Sequence, residues 1–207
     1  DIKGLVVTSA KSDIFIAGAD LNLIKSLDTI DKALAGCTAG QQAIHKFSKL
    51  PFETVAAISG ACLGGGFELS LACKKRVASD AKSVKIGLPE VMLGILPGFG
   101  GSVRLPRLVP LPTALDMILT GKRVNGKKAL KIGLADACVP KGSLMKEALK
   151  FAQKPRTERR GFSQLFKTDL SKVALEGNII GRKIMARKAA EITTQKTKGF
   201  YPAAFKA

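Results

Sequence analysis

Three consecutive glycines, Gly64-Gly65-Gly66, separate one apolar run from another, and no other feature constrains the chain as much. Thr54 to Ser59 (TVAAIS) is bounded by Pro51 and Gly60 and is expected to form a buried strand. After the glycines, Phe67, Leu69, Leu71, Ala72 and Cys73 have helix-compatible spacing, so a helix is expected to begin near Gly65. A strand that passes into a helix through three glycines leaves bare backbone open to close approach, because no Cβ blocks it. The first N–H groups of a helix lack internal partners and carry the positive end of its dipole. An oxygen that gains negative charge during a reaction is stabilised at such a point, which is the logic of an oxyanion hole.

Two carboxylates flank this backbone. Glu68 lies two residues past the run, and Glu90 follows Pro89 in a Gly-Leu-Pro-Glu segment. Each has a plainer reading alone. The helix dipole accounts for an acid near a helix start, and Glu90 would pass for a solvated loop acid. Together they are the parts of an acid/base site, since two carboxylates near one ligand can hold a water and split their pKa values. The stretch closes on Pro97-Gly98-Phe99-Gly100-Gly101. That turn does not match the dinucleotide fingerprint, because Val103 occupies the third glycine's place. It is expected instead to begin a helix over Gly101 to Val109 and to shape a pocket beside Glu90.

Composition narrows the classes. At 207 residues the chain suits one domain with a full core. No apolar run approaches the roughly 20 residues needed to span a bilayer. The four cysteines, Cys37, Cys62, Cys73 and Cys138, show no metal-ligand or CxxC spacing and read as free thiols of a reducing compartment. With the lone histidine, His45, on a helix, no metal site is expected. Thirty-four Lys and Arg against 16 Asp and Glu give +18, which implies polyanionic partners or a solvated basic surface. One Tyr and no Trp argue against stacking on single-stranded nucleic acid, so a basic RNA-binding module stays a rival without a motif.

Along the chain, Ile2 to Ser9 reads as a strand and Ser12 to Asp20 as a Gly-containing loop anchored by Phe15 and Ile16. Ile30 to Leu50 reads as a helix ended by Pro51. Arg76 to Ser79 and Val84 to Ile86 are short strands. Pro112 and Gly121 bracket a helix. Asn125 caps another that stops at Gly133, Leu134 to Val139 is a strand, and a helix runs from Ser143 to about Gln153. Lys154 to Arg160 is a basic linker, and Ser171 to Thr194 reads as a long helix with a basic face of Arg182, Lys183, Arg187 and Lys188.

The blocks FIAGADL, GACLGGGFELSLAC, GLPEVMLGILPGFGG and ALKIGLAD, in this order, resemble the crotonase (enoyl-CoA hydratase/isomerase) superfamily. Within it they look most like the hydratase domain of multifunctional fatty-acid oxidation alpha subunits, as does the 22-residue step from Glu68 to Glu90. The resemblance implies an α/β fold: a crotonase-like spiral of strand-strand-helix repeats with a C-terminal helical region. It divides the chain into a hydratase core over 1–154, with the family's first strands absent, and a helical region and linker over 155–207 that leads toward a dehydrogenase domain.

The implied activity is the addition of water to trans-2-enoyl-CoA in fatty-acid beta-oxidation, a lyase reaction, with isomerisation as a secondary activity. Isomerisation or thioester hydrolysis alone are the rivals on the same scaffold. By resemblance Glu68 and Glu90 are catalytic, and the N–H groups of Ala19 and Gly65 form the oxyanion hole. Ala17, Asp20, Leu21, Gly64, Pro89, Leu96 and Gly98 line the acyl-CoA pocket. Leu88 replaces a polar residue found before Pro-Glu in some single-function hydratases. No cofactor is implied in this chain; coenzyme A belongs to the substrate, and NAD belongs to the dehydrogenase domain. The implied assembly is either a homotrimer or a complex with a thiolase beta subunit. The implied compartment is the bacterial cytoplasm, with the mitochondrial matrix as the alternative.

Overall fold

The computed structural model describes residues 2–20 and 26–153, with positions 181, 183, 186, 187, 189–191, 193 and 194. The linker at Lys154 to Arg160 and nearly all of the region over 155–207 lie outside the described residues. Those described between 181 and 194 are helical, with Lys183 and Arg187 exposed.

The chain winds as a spiral in which the first three turns each add one strand to each of two parallel sheets and a last strand extends the first sheet. Strand β1 (Gly4–Val7), β3 (Glu53–Ile58), β5 (Lys75–Ser79) and β7 (Ala137–Val139) form the first sheet in that order. Strand β2 (Ile14–Ile16), β4 (Ala61–Leu63) and β6 (Ile86–Gly87) form the second. Every pairing between these strands is parallel. Helix α1 (Ile30–Ser48) connects the first turn to the second, and helix α2 (Gly65–Ala72) connects the second to the third. The expected strand-strand-helix repeat is this arrangement.

Parallel strands are covered on both faces, and β3 shows why TVAAI is apolar without alternation. Val55 and Ala57 face helix α6 (Leu144–Gln153) through Leu144, Ala148 and Ala152. Ala56 and Ile58 point the other way, into the main core with Phe15, Phe67, Leu71, Ile86, Leu88 and Leu105. The strand joins two cores, and all six of its residues are buried. Among the described residues, no helix is long and apolar enough to cross a membrane.

Several elements differ from the sequence reading. The segment around Phe15, which reads as a loop, contributes a three-residue strand, and so does Ala61–Leu63, for which the sequence gives no strand signal. Such strands are too short for a periodic signal and exist only because the neighbouring turn of the spiral pairs with them. The helix expected over Gly101 to Val109 is a four-residue α3 (Gly101–Arg104) continued as a 3-10 turn (Leu105–Arg107). Pro106 lacks the N–H an α-helix needs there. The strand expected from Leu134 begins only at Ala137, where pairing with Val77 starts. Helices α4 (Leu111–Thr120) and α5 (Gly126–Lys131) follow their caps: Gly121 is left-handed at φ 65°, and the Asn125 side chain accepts from the Lys128 N–H.

The glycine run serves this packing in different ways. Gly64 has φ 54°, a left-handed value that an L side chain resists. Gly66 lies so close to β2 that an added Cβ would fall 2.4 Å from both Cβ and the carbonyl oxygen of Ile16. Gly66→Ala should therefore force β2 away from α2 and destabilise the fold by about 1–3 kcal/mol. A lowered urea midpoint with unchanged slope would show this. Gly142→Ala, which meets nothing within 4 Å, should leave the midpoint where it is.

Candidate active site

Glu68 and Glu90 come from different elements and both reach Gly64, Glu68 through its backbone N–H and Glu90 through its carboxylate. Glu68 lies in the first turn of α2, where its backbone N–H donates to the Gly64 carbonyl at 2.9 Å. Its side chain is only 1% exposed. Oε1 accepts the Phe99 N–H at 2.8 Å and the Gly101 N–H at 2.7 Å. Glu90 opens a 3-10 turn (Glu90–Leu93) behind Pro89 and is 7% exposed. Its Oε1 lies 3.3 Å from the point where a Gly64 Cβ would sit, so glycine is what lets the carboxylate come this close. Its Oε2 is buried and has no hydrogen-bond partner among the described residues.

The two acids are therefore in unequal surroundings. Burial raises the Glu68 pKa, while the Gly101 and Phe99 N–H groups and the Arg104 charge pull it back. Burial pushes Glu90 to about 7, with its own backbone N–H opposing this and the Glu68 charge adding to it. At neutral pH Glu90 is thus divided between its protonated and ionised forms.

The turn that grips Glu68 is itself held. The Gln41 Nε2 of α1 donates to the Gly98 carbonyl at 2.8 Å, and Arg104 Nη1 donates to the Phe99 carbonyl at 2.8 Å. The Phe99 ring packs on the glycine run, 3.3 Å from where a Gly65 Cβ would project. Phe99 lies in the turn that the sequence marks, but neither Gln41 nor Arg104 stands out in the sequence. Gln41 is one of two adjacent glutamines on a helix, and only the fold brings it to a turn 57 residues away.

Of the other residues singled out, Gly65 begins α2 and directs its N–H out of the helix start. Ala17, Ala19 and Asp20 are exposed in the segment after β2, next to Gly18 at φ 108°. Gly18 approaches the glycine run: its Cα is 3.5 Å from the position of a Gly64 Cβ. Leu21 lies outside the described residues. Pro89 and Gly98 are half-buried, and Leu96 is 40% exposed beside Glu90's turn. His45 is exposed on α1. All four cysteines are free, and burial pushes the Cys62 and Cys73 thiols up to about 12. A groove of about 1630 Å³ runs behind the Phe99–Arg104 turn between Lys49, Arg107, Lys128 and Lys131. Neither carboxylate lines it, so it is separate from the acid pair.

A family model described as enoyl-CoA hydratase/isomerase matches residues 1–202. The chain is 46% identical over 203 residues to the fatty acid oxidation complex subunit alpha of Vibrio cholerae serotype O1, covering 98% of this chain and 28% of that protein. The subunit of the same name from Aliivibrio fischeri is 47% identical over 202 residues, with the same shares covered. The chain thus spans little more than a quarter of the length of these relatives.

Among solved structures, it is similar to an enoyl-CoA hydratase from Geobacillus kaustophilus HTA426. The TM-score is 0.69 at 30% identity, over 95% of this chain and 72% of that one. Human mitochondrial delta3-delta2-enoyl-CoA isomerase gives a TM-score of 0.67 at 23% identity, over 98% of this chain and 74% of that one, a likeness of fold alone. These neighbours have the crotonase fold, and the two interleaved parallel sheets described above are that fold.

The burial of Glu90 sets a pH dependence of stability. An unfolded glutamate titrates near 4.5, whereas the folded chain keeps the proton up to about 7. The folded state therefore binds more protons between these values, and stability falls as pH rises through this window. Relative to Glu90→Gln, which cannot ionise, the parent should lose about 3 kcal/mol between pH 4.5 and 8. Urea unfolding of both proteins at the two pH values measures it.

Proposed function

The chain belongs to the enoyl-CoA hydratase/isomerase family, and on that premise we propose that it adds water to trans-2-enoyl-CoA thioesters. It would act as the hydratase part of a fatty-acid oxidation alpha subunit in a bacterial cytoplasm, a reading supported by its bacterial relatives. The observation that carries the reaction type is the buried pair of unequal acids at Gly64. Hydration needs one group to take a proton from water and another to give one to carbon. A double-bond shift needs only one shuttling acid.

In this mechanism the thioester carbonyl oxygen accepts the N–H groups of Ala19 and Gly65. These donors draw electron density from the double bond and stabilise the enolate-like charge as it forms. Each is worth about 3 kcal/mol of barrier by the measure of other oxyanion holes. Glu68, kept toward its ionised form by two N–H bonds, takes a proton from water as the water oxygen bonds to C3. Glu90, which holds a proton to about pH 7, delivers it to C2. The carboxylates exchange the proton back before the next turnover, so the pair titrates together.

Ala17, Asp20, Leu21, Gly64, Pro89, Leu96 and Gly98 would line the acyl-CoA pocket. The +18 net charge suits a substrate carrying several phosphates. Binding the long coenzyme A handle holds the acyl group in reacting geometry. No cofactor takes part in this chain's step. The relatives are more than three times as long as this chain and are named as subunits of a complex; for the whole protein we infer, from the family resemblance, an NAD-dependent dehydrogenase domain and assembly with a thiolase subunit or as a homotrimer.

Loss of the enoyl thioester absorbance with crotonyl-CoA and a longer 2-enoyl-CoA tests the reading. Glu68→Gln and Glu90→Gln should each lower kcat by about 10²–10⁴-fold while the fold is kept. The product should be the 3-hydroxyacyl-CoA. A shifted double bond without water uptake would instead favour isomerisation, and unaltered turnover in either variant would remove the paired-acid mechanism.

A further inference from the structure

We propose that Gln41 is a positioning residue of the acid pair: from α1 it holds the carbonyl of the very peptide unit whose N–H grips Glu68. The inference deepens the hydratase reading and rests on it. The Gly98 C=O and the Phe99 N–H belong to one planar trans peptide and point in opposite directions. Gln41 Nε2 donates to the carbonyl end at 2.8 Å. The N–H end donates to Glu68 Oε1 at 2.8 Å. Gln41 and Glu68 are thus fastened to the two ends of one rigid unit. A donor on the carbonyl stops the unit from rotating away from Glu68. It also polarises the amide, which strengthens its N–H as a donor.

The second donor to Glu68 is held differently. The Gly100 carbonyl, at the other end of the Gly100–Gly101 peptide, accepts the Arg104 N–H at 2.9 Å within the local helix turn. That unit is fixed by its own short helix, whereas the Gly98–Phe99 unit is fixed from a separate helix. Packing keeps α1 against the turn. A Cβ on Gly40 would fall 2.3 Å from the Phe99 ring, and one on Gly98 would fall 3.5 Å from the Cys37 sulfur. The charged groups that act on Glu68 are Arg104 from α3 and Glu90 from the neighbouring 3-10 turn. Gln41 is uncharged, so replacing it by an apolar residue removes the hydrogen bond and adds no new charge to their field.

The test uses the full chain labelled with ¹³C-carboxyl glutamate, in which the Glu68 resonance is identified by its loss in Glu68→Gln. The parent, Gln41→Leu, the unbranched Gln41→Met and the neighbouring Gln42→Leu are titrated, melted and assayed with crotonyl-CoA. In both Gln41 variants the Glu68 midpoint should move to higher pH. Their kcat should fall about threefold to tenfold, the effect of one lost neutral hydrogen bond, with KM within twofold. Gln42→Leu should match the parent in every readout. A Glu68 midpoint unchanged in either Gln41 variant that melts like the parent overturns the proposal. A parent that adds no water overturns the hydratase reading instead, and the carboxyl titration still decides the role of Gln41.

Discussion

Two backbone N–H groups on one carboxylate oxygen of Glu68 hold the centre of this structure together. A carboxylate removed from water is costly unless it is hydrogen-bonded. Here the Phe99 and Gly101 amides supply charge-assisted bonds, and the Arg104 charge adds to them. The bonds do more than satisfy an acid. They tie α2 to the Pro97–Gly101 turn, and the turn seats the Phe99 ring between Gly65 of α2 and Gly40 of α1. Three segments that are distant in the chain therefore share one polar knot beside the glycine run.

Glu90 is the counterpart that this knot leaves alone. It is nearly as buried, but its Oε2 has no protein partner among the described residues, and it faces the charge of Glu68. Burial raises the pKa of both acids; at Glu68 two amide donors and the Arg104 charge oppose that rise, whereas at Glu90 the Glu68 charge adds to it. One fold thus places two chemically identical side chains in unequal surroundings, the usual way an acid and a base are made from a pair of glutamates.

The spiral makes that asymmetry possible. Each turn places a short strand of the second sheet just before or after a helix, so β2 and β4 bring Gly18 and Gly64 to the same edge. β6 leads straight into Pro89 and Glu90. The covering of both faces of the first sheet supplies the apolar mass against which the polar knot is set. Arg76, buried in β5, is satisfied by the carbonyls of Leu134 and Cys73 and so locks the later helices to this frame.

Much of this was legible in the residues. TVAAIS announced a doubly covered strand, Gly64-Gly65-Gly66 announced a helix start with open backbone, and Asn125, Gly121 and Pro51 marked helix ends through local capping chemistry. The spacing and company of Glu68 and Glu90 marked them as a pair. The strand, glycine and cap signals survive in a sequence because they depend on neighbours a few residues away.

What the sequence could not contain are effects that depend on distant neighbours. The three-residue strands β2 and β4 exist only through pairing across the spiral. The unequal environments of the two acids come from which amides reach them. Gln41 reads as an ordinary surface glutamine until α1 is laid against a turn 57 residues further on. By itself the sequence determined which groups were available for the chemistry and where the chain had to turn. The tertiary structure decided which buried acid receives amide donors, which is left without them, and what positions the donors, because burial and hydrogen-bond direction are properties of three-dimensional neighbours.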